Sequence, residues 1–483
     1  MTDKDLQLRS QAYEEVEKYK EKVESDYHRL KYHLMPPVGL LNDPNGFIQF
    51  KGIYHLFYQW NPFNTGHGAK FWGHYTSKDL VHWTHEEIAL SPSDWFDKNG
   101  CYSGSAIEAE GKMKLFYTGN VKDEEGNRET YQCLVESEDG IHFEKKGVVV
   151  NLPEGYTPHF RDPKVWQHEG VWYMIIGAQS TDLQGKAVLL SSTDLKDWSC
   201  LGDITGSQSE QLGEFGYMWE CPDLFQLEDK DVLVISPQGL EAEGMLYNNV
   251  FQSGYFVGKL NYETAKMEHG EFTELDRGFE FYAPQTTVDE KGRRLMFAWM
   301  GVPDQDEDKQ PTIEYNWVHA MTLPRELVLK GEKLYQNPPE ELKQLRKNGV
   351  IHTGVEISEE STSLADVNGD VVELIVEIKG NNAGSFEINL RNEARVVYNF
   401  HEQTVTLERN SYAKQGTEKR QCQLSELKEL RIFLDTSSIE VFVNEGEEVF
   451  TARIFPSQND KELLFKAENG TTICTVKKWD LLK

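Results

Sequence analysis

The sequence predicts an all-β protein: a five-bladed β-propeller followed by a C-terminal β-sandwich, with a short N-terminal helix in front. Three observations carry this reading. Strand-like segments recur about every sixty residues, the chain from 350 onward alternates apolar and polar residues with period two, and aromatics are abundant, with 24 Phe, 21 Tyr and 11 Trp. Aromatic side chains pack well on pleated surfaces, so this usage suits strands. At 483 residues the chain is too long for one ordinary core, and more than one domain is expected.

In residues 1–32, Ala12, Val16, Tyr19 and Val23 follow helical spacing and predict an amphipathic helix packed on the outside. In GLLNDPNGFIQFKGIYHLFYQWNP (39–62), Phe47, Ile48 and Phe50, then Ile53, His55, Phe57 and Tyr58, predict two half-buried strands around a Lys51-Gly52 turn. The polar run Asn42-Asp43-Pro44-Asn45-Gly46 in front of them would, alone, be an ordinary turn.

The repeat gives that run a different meaning. SKDLVHW (77–83), SEDGIHF (137–143) and STDLKDW (192–198) are one hairpin turn written three times. Asp43 and Ser103 stand 34 residues before the first two copies and Asp162 stands 30 before the third, each opening a new strand. The same register reaches Glu220 in WECPDLF and Tyr282 in FYAPQTT, at intervals of 60, 59, 58 and 62 residues. Four strands per unit and five units predict a propeller over 33–337. The first strand of each blade lines the central channel, so the five positions are expected to converge on one funnel. Three of them are carboxylates; spacing alone leaves open a structural role in blade-to-blade hydrogen bonding. Residues 323–349 read as a last strand pair and a linker. VVELIVEIKG, SFEINLRN and LRIFLDTSSIEVFVNEGEEVFTARIF then predict an antiparallel sandwich over 350–483, without clustered catalytic residues and assigned to support or accessory binding.

With 80 acidic against 50 basic residues, the net charge of −30 repels nucleic acid and anionic membranes. No segment is apolar for long enough to span a membrane, and the charged N-terminus does not read as a secretory signal, so a cytoplasmic protein is expected. Six scattered cysteines without a CxxC pair predict reduced thiols rather than zinc or disulfides. No metal or other cofactor is expected, since no His/Asp/Glu group has ligand spacing and TGHGAK (65–70) lacks the P-loop pattern. The expected partner is a small molecule, and a phosphorylated one fits, because a few cations in a pocket outweigh a diffuse field. Composition leaves the oligomeric state open.

The motifs LLNDPNG (40–46), YQWNP (58–62), FWGH (71–74), YSGSA (102–106), FRDP (160–163), WECPDLF (219–225) and FYAPQ (281–285) resemble, in order and spacing, those of glycoside hydrolase family 32. DTSSIEVFVNEG (435–446) and TARIFP (451–456) resemble that family's C-terminal sandwich. Leu40-Leu41 depart from the Trp-Met that commonly precedes NDPNG, which leaves the acids untouched. The resemblance implies that Asp43 is the nucleophile, Glu220 the acid/base and Asp162 the transition-state stabiliser of a retaining hydrolase of β-fructofuranosides. It implies that Asn42, Gln59, Tyr102, Ser103, Arg161, Tyr282 and Trp299 line the sugar pocket. Each could singly be a packing or backbone-satisfying residue, and only their joint occurrence with the acids points to a site. Cys221 reads as a small buried thiol, and Asp223 competes with Glu220 but falls off the register.

Among family members the chain is most similar to intracellular bacterial forms, which implies sucrose 6-phosphate and sucrose as substrates. Fructan oligomers, or binding without catalysis, are the alternatives. Negative charges on Asp43 and Asp162 would oppose ionisation of Glu220, so a protonated resting Glu220 is expected. His67, Lys70 and Lys98 are the expected phosphate contacts.

Overall fold

The computed structural model describes residues 2–209 and 212–482. Five antiparallel sheets follow in chain order, each built around four strands running outward from an inner first strand. The inner strands are Gly39–Phe50, Cys101–Ala109, Tyr156–His168, Met218–Leu227 and Tyr282–Val288. Each contacts the next, and the fifth contacts the first, so the ring is closed. A short parallel pairing of Trp317–Val318 with Gly39–Leu40 ties the connection between the second and third strands of the fifth blade back to the first blade.

The repeated turn is legible at the level of single hydrogen bonds. In its three copies Asp79, Asp139 and Asp194 each accept, through Oδ1, from the backbone N–H groups two and three residues on. Leu80, Gly140 and Leu195, which follow those aspartates, all take positive φ. A short side chain that bonds its own backbone forces the chain to reverse, and that is why the Asp recurs.

Every inner strand carries a bulge at its channel end. Asn42-Asp43, Tyr102-Ser103, Asp162-Pro163, Cys221-Pro222 and Ala283-Pro284 each place two residues opposite a single residue of the neighbouring strand. The extra residue breaks the alternation of faces and swings successive side chains toward the channel. Asp162, Cys221 and Ala283 hold positive φ of 66°, 46° and 51° there. The five sequence marks do converge, but they are not equivalent positions. Asp43 and Ser103 are second bulge residues, Asp162 is a first, and Glu220 and Tyr282 immediately precede theirs. The sixty-residue count located the bulges; it slipped by up to two residues within them because a bulge changes the local register without changing the repeat length.

Residues 346–481 form two six-stranded sheets, beginning with Arg346–Ile357 and ending with Thr472–Leu481, that enclose one apolar core from Ile357 to Val476. The N-terminal helix spans Asp3–Glu24, with the Thr2 hydroxyl accepting from the Asp5 N–H as its cap. Ala12 and Val23 are buried and Val16 and Tyr19 half-buried against the first-blade core. The segment after it reaches the sandwich. His33 Nδ1 meets Asp435 at 2.9 Å and Nε2 meets Glu440 at 3.1 Å, while Arg325 of the propeller joins Glu440 at 2.8 Å and Asp276 at 3.0 Å. All these groups are buried, and a buried ion pair missing one partner is strongly destabilising, so the network fixes the docking of sandwich on propeller.

Burial alone would push the His33 imidazole down, but its bonds to Asp435 and Glu440 outweigh it and hold it raised. The same bonds hold the two carboxyls low against burial. A raised histidine contributes stability that is whole below its unfolded value of about 6.5 and lost as pH rises through the folded one; the lowered acids lose theirs as pH falls. His33→Gln is therefore expected to melt at lower temperature than the parent near pH 6, with the gap closing toward about pH 9. A gap constant across that range would show that His33 is not charged in the folded protein.

Candidate active site

A cavity of about 460 Å³ opens where the bulges meet. The first blade supplies Asn42, Asp43, Gln59 and Lys70 to its wall, the second Tyr102 and Ser103, the third Arg161 and Asp162, the fourth Glu220, and the fifth Tyr282 and Trp299, with His67 on a loop. Of the thirteen residues expected at the site, only Lys98 is absent from this wall; its side chain is exposed.

Each acid is held differently. Asp43 accepts at Oδ2 from the Ser103 hydroxyl at 2.5 Å and at Oδ1 from the Asn42 amide at 3.1 Å. Asp162 accepts at Oδ2 from the Cys221 N–H at 3.0 Å, and its Oδ1 has no hydrogen-bond partner among the described residues. Glu220 is saturated: Arg161 donates twice to Oε1, from Nε at 3.0 Å and Nη2 at 2.5 Å, while Tyr282 and Gln238 donate to Oε2 at 2.7 and 2.8 Å. The Cys221 thiol lies between the aspartates, 3.5 Å from Asp162 Oδ2 and 3.7 Å from Asp43 Oδ2. It is half-buried rather than fully buried, and it bridges two acids.

This wiring corrects the expected protonation. Burial pushes Glu220 up, but the Arg161 charge and the bonds from Tyr282 and Arg161 bring it below the usual range. Asp162 carries the raised pKa instead, about 7. Burial is the main cause, opposed by the Arg161 charge and reinforced by those of Glu220 and Asp43. Asp43 is raised too, by burial and by Glu220, against the Ser103 bond. Counting charges near Glu220 omitted the four donors that folding aims at it. Gln238 and His159, which accepts from Arg161 Nη1 at 2.9 Å, belong to no motif and were missed for that reason.

Lys70 is buried, and burial lowers its pKa to about 7 against the charges of Asp43 and Glu307. It meets His67 Nδ1 at 2.9 Å; His67 Nε2 meets Glu307 at 3.1 Å, and His319 meets the same carboxylate at 3.1 Å. These basic groups are thus engaged in a chain anchored on an acid, and Lys70 is buried near Asp43 rather than standing free at the rim. Asp223 is turned away, paired with Lys164 at 3.1 Å and accepting from the Thr286 N–H at 2.7 Å.

Asn42 Oδ1 and Trp299 Nε1 are buried without hydrogen-bond partners among the described residues. An orphaned acceptor and an orphaned donor on one wall call for a ligand carrying hydroxyls of both senses. Cleavage of an acetal between sugars needs one acid that can hold a proton near neutrality and others that stay ionised, and crowding the acids achieves that separation. By fold and site this is a glycoside hydrolase.

Residues 33–338 match the glycosyl hydrolases family 32 N-terminal domain, and residues 341–480 match the glycosyl hydrolases family 32 C-terminal domain. The chain is 56% identical to a sucrose-6-phosphate hydrolase of Bacillus subtilis over 100% of both chains. Its fold is similar to that of the sucrose-6-phosphate hydrolase of Lactobacillus gasseri, with a TM-score of 0.87 at 32% identity over 97% of this chain and 96% of that one. It is also similar to a mutant of a Bombyx mori family 32 β-fructofuranosidase in complex with sucrose, with a TM-score of 0.84 at 33% identity over 98% of each. The chain belongs to glycosyl hydrolase family 32.

The electrostatics give a test independent of turnover. Carboxylate infrared difference spectra are expected to show one buried carboxyl ionising near pH 7 in the ligand-free protein, with that band missing in Asp162→Asn. Its persistence in Asp162→Asn and loss in Glu220→Gln would reverse the assignment.

Proposed function

We propose that this chain is a retaining β-fructofuranosidase that cleaves sucrose 6-phosphate and sucrose, releasing fructose with glucose 6-phosphate or glucose. The observation that supports this most is the different wiring of three acids on one cavity: Asp43 oriented by Ser103 and Asn42, Asp162 with a free Oδ1, Glu220 among four donors. Asp43 attacks the anomeric carbon, forming a C–O ester bond, as Glu220 gives its proton to the departing glycosidic oxygen. Water then adds to that carbon and loses a proton to Glu220, and the Asp43 carboxylate is released. Asp162 Oδ1 accepts from ring hydroxyls and stabilises the developing positive charge.

The resting proton is nearest to Asp162, and the acid step needs it on Glu220. Sugar hydroxyls donating to Asp162 favour its anion and move the proton toward Glu220, so the pair acts as one titrating unit. The Tyr282 hydroxyl has a second acceptor in the Ser236 carbonyl at 3.4 Å, and by turning to it leaves Glu220 Oε2 to carry the proton. A phosphorylated sugar does not cross a membrane unaided, which supports a cytoplasmic setting. Among the described residues no helix is long and apolar enough to span one.

Glu220→Gln and Asp43→Asn are both expected to fold and to lose most activity. The acid variant falls by roughly 10²–10⁴ and recovers on a fructosyl donor whose leaving group needs no proton, whereas the nucleophile variant does not. Equal rescue of both would overturn the roles. With sucrose 6-phosphate, sucrose and inulin compared by kcat/KM, the phosphorylated disaccharide is expected to lead; a lead for inulin would make the chain a fructan hydrolase.

A further inference from the structure

The second blade carries two cations that the hydrolytic machinery does not use. Strands Lys112–Lys122 and Arg128–Ser137 pair antiparallel, and their register sets Lys122 directly opposite Arg128 at the last rung of the ladder. Like charges directly opposite one another destabilise a strand pair, so this rung is costly unless something anionic sits on it. Among the described residues, neither residue forms an ion pair with an acid. The two acids adjacent in sequence, Asp123 and Glu129, are turned elsewhere. Asp123 accepts from the Glu125 and Asn127 N–H groups and the Asn127 amide, and Glu129 accepts from the Tyr131 hydroxyl.

Both residues line the cavity that holds the three acids. The Arg128 guanidinium lies over the Tyr102 ring, 5.5 Å from its centre, and Tyr102 adjoins the Ser103 that donates to Asp43. His159, whose pKa falls to about 4 through burial and the charges of Arg161 and Arg128, links this corner to Glu220, because Arg161 bridges the two. The rung therefore lies on the side of the cavity that faces the proton donor, where the leaving group departs. Asn120, on the Lys122 strand, lines the same cavity and keeps a buried Oδ1 without a partner among the described residues, an acceptor for a sugar hydroxyl.

We infer that Lys122 and Arg128 form the subsite for the phosphate of the leaving-group sugar. The stacked arginine presents a planar fork to two phosphate oxygens, and the lysine opposite supplies a mobile point charge. This assignment rests on the reading that the substrate is a phosphorylated disaccharide, and it replaces His67, Lys70 and Lys98 as the phosphate contacts.

The full chain is assayed for kcat/KM on sucrose 6-phosphate and on sucrose, and for inhibition of sucrose hydrolysis by inorganic phosphate. The variants are Arg128→Ala, Lys122→Ala and the double substitution, with Arg128→Lys and the exposed Lys98→Ala for comparison. The ratio of the two kcat/KM values is expected to fall about 10- to 100-fold in Arg128→Ala, the loss of one charge-assisted contact, and further in the double variant. Arg128→Lys keeps part of the ratio and Lys98→Ala keeps all of it. Phosphate inhibition weakens in parallel. If the parent prefers sucrose 6-phosphate while the double variant keeps both the ratio and the phosphate inhibition, the subsite is overturned and the proposed function stands. A parent with no preference between the two sugars overturns the phosphorylated substrate and the subsite together.

Discussion

Everything functional in this molecule depends on a repeated local defect, the one-residue bulge at the channel end of each inner strand. A regular strand alternates its faces, so at most every second side chain could reach the channel. With the bulge, neighbours such as Asn42 and Asp43, or Arg161 and Asp162, line the same cavity. Prolines mark the bulge in four blades, as its second residue at 163, 222 and 284 and just past it at 44, where the ladder is interrupted and a missing N–H costs little. The strain of a non-glycine residue at positive φ, of order 1–3 kcal/mol each, is borne by the closed ring around it.

The second theme is the distribution of protons among acids forced together. Three carboxylates in one buried site cannot all ionise freely, and what decides among them is the number and kind of donors each receives. Glu220 receives four, two of them from a guanidinium; Asp162 receives one backbone N–H and a weak thiol. The resting state thus differs from the state needed for acid catalysis. In the proposed mechanism substrate hydroxyls convert one into the other, which ties protonation of the leaving group to occupancy of the sugar site.

Outside the site, charge is used to fix assembly. His33, Arg325, Asp276, Asp435 and Glu440 bring together the N-terminal segment, the propeller and the sandwich in one buried network. Such groups contribute little net stability compared with apolar packing, but they tolerate few alternative arrangements. Unlike that network, the Lys122–Arg128 rung has no ion-pair partner among the described residues.

The sequence by itself determined the strands and the repeat, and with it which three carboxylates stand on the repeat's marks, because strands and turns are local matters. A period-two pattern defines a strand, an Asp that bonds its own backbone defines a turn, and a sixty-residue spacing defines a blade. The SKDLVHW, SEDGIHF and STDLKDW copies fold alike because their turn needs nothing beyond those residues. Tertiary structure alone decided which acid keeps the proton, which cation is free and where the register of the marks slips. Gln238 and His159 act on Glu220 from outside its motif, Glu307 claims His67 across 240 positions of sequence, and Arg128 meets Lys122 only because the hairpin pairs them. Hydrogen bonds and charge pairs fall off over a few ångströms, so their effects depend on distances that exist only once the ring of blades has closed.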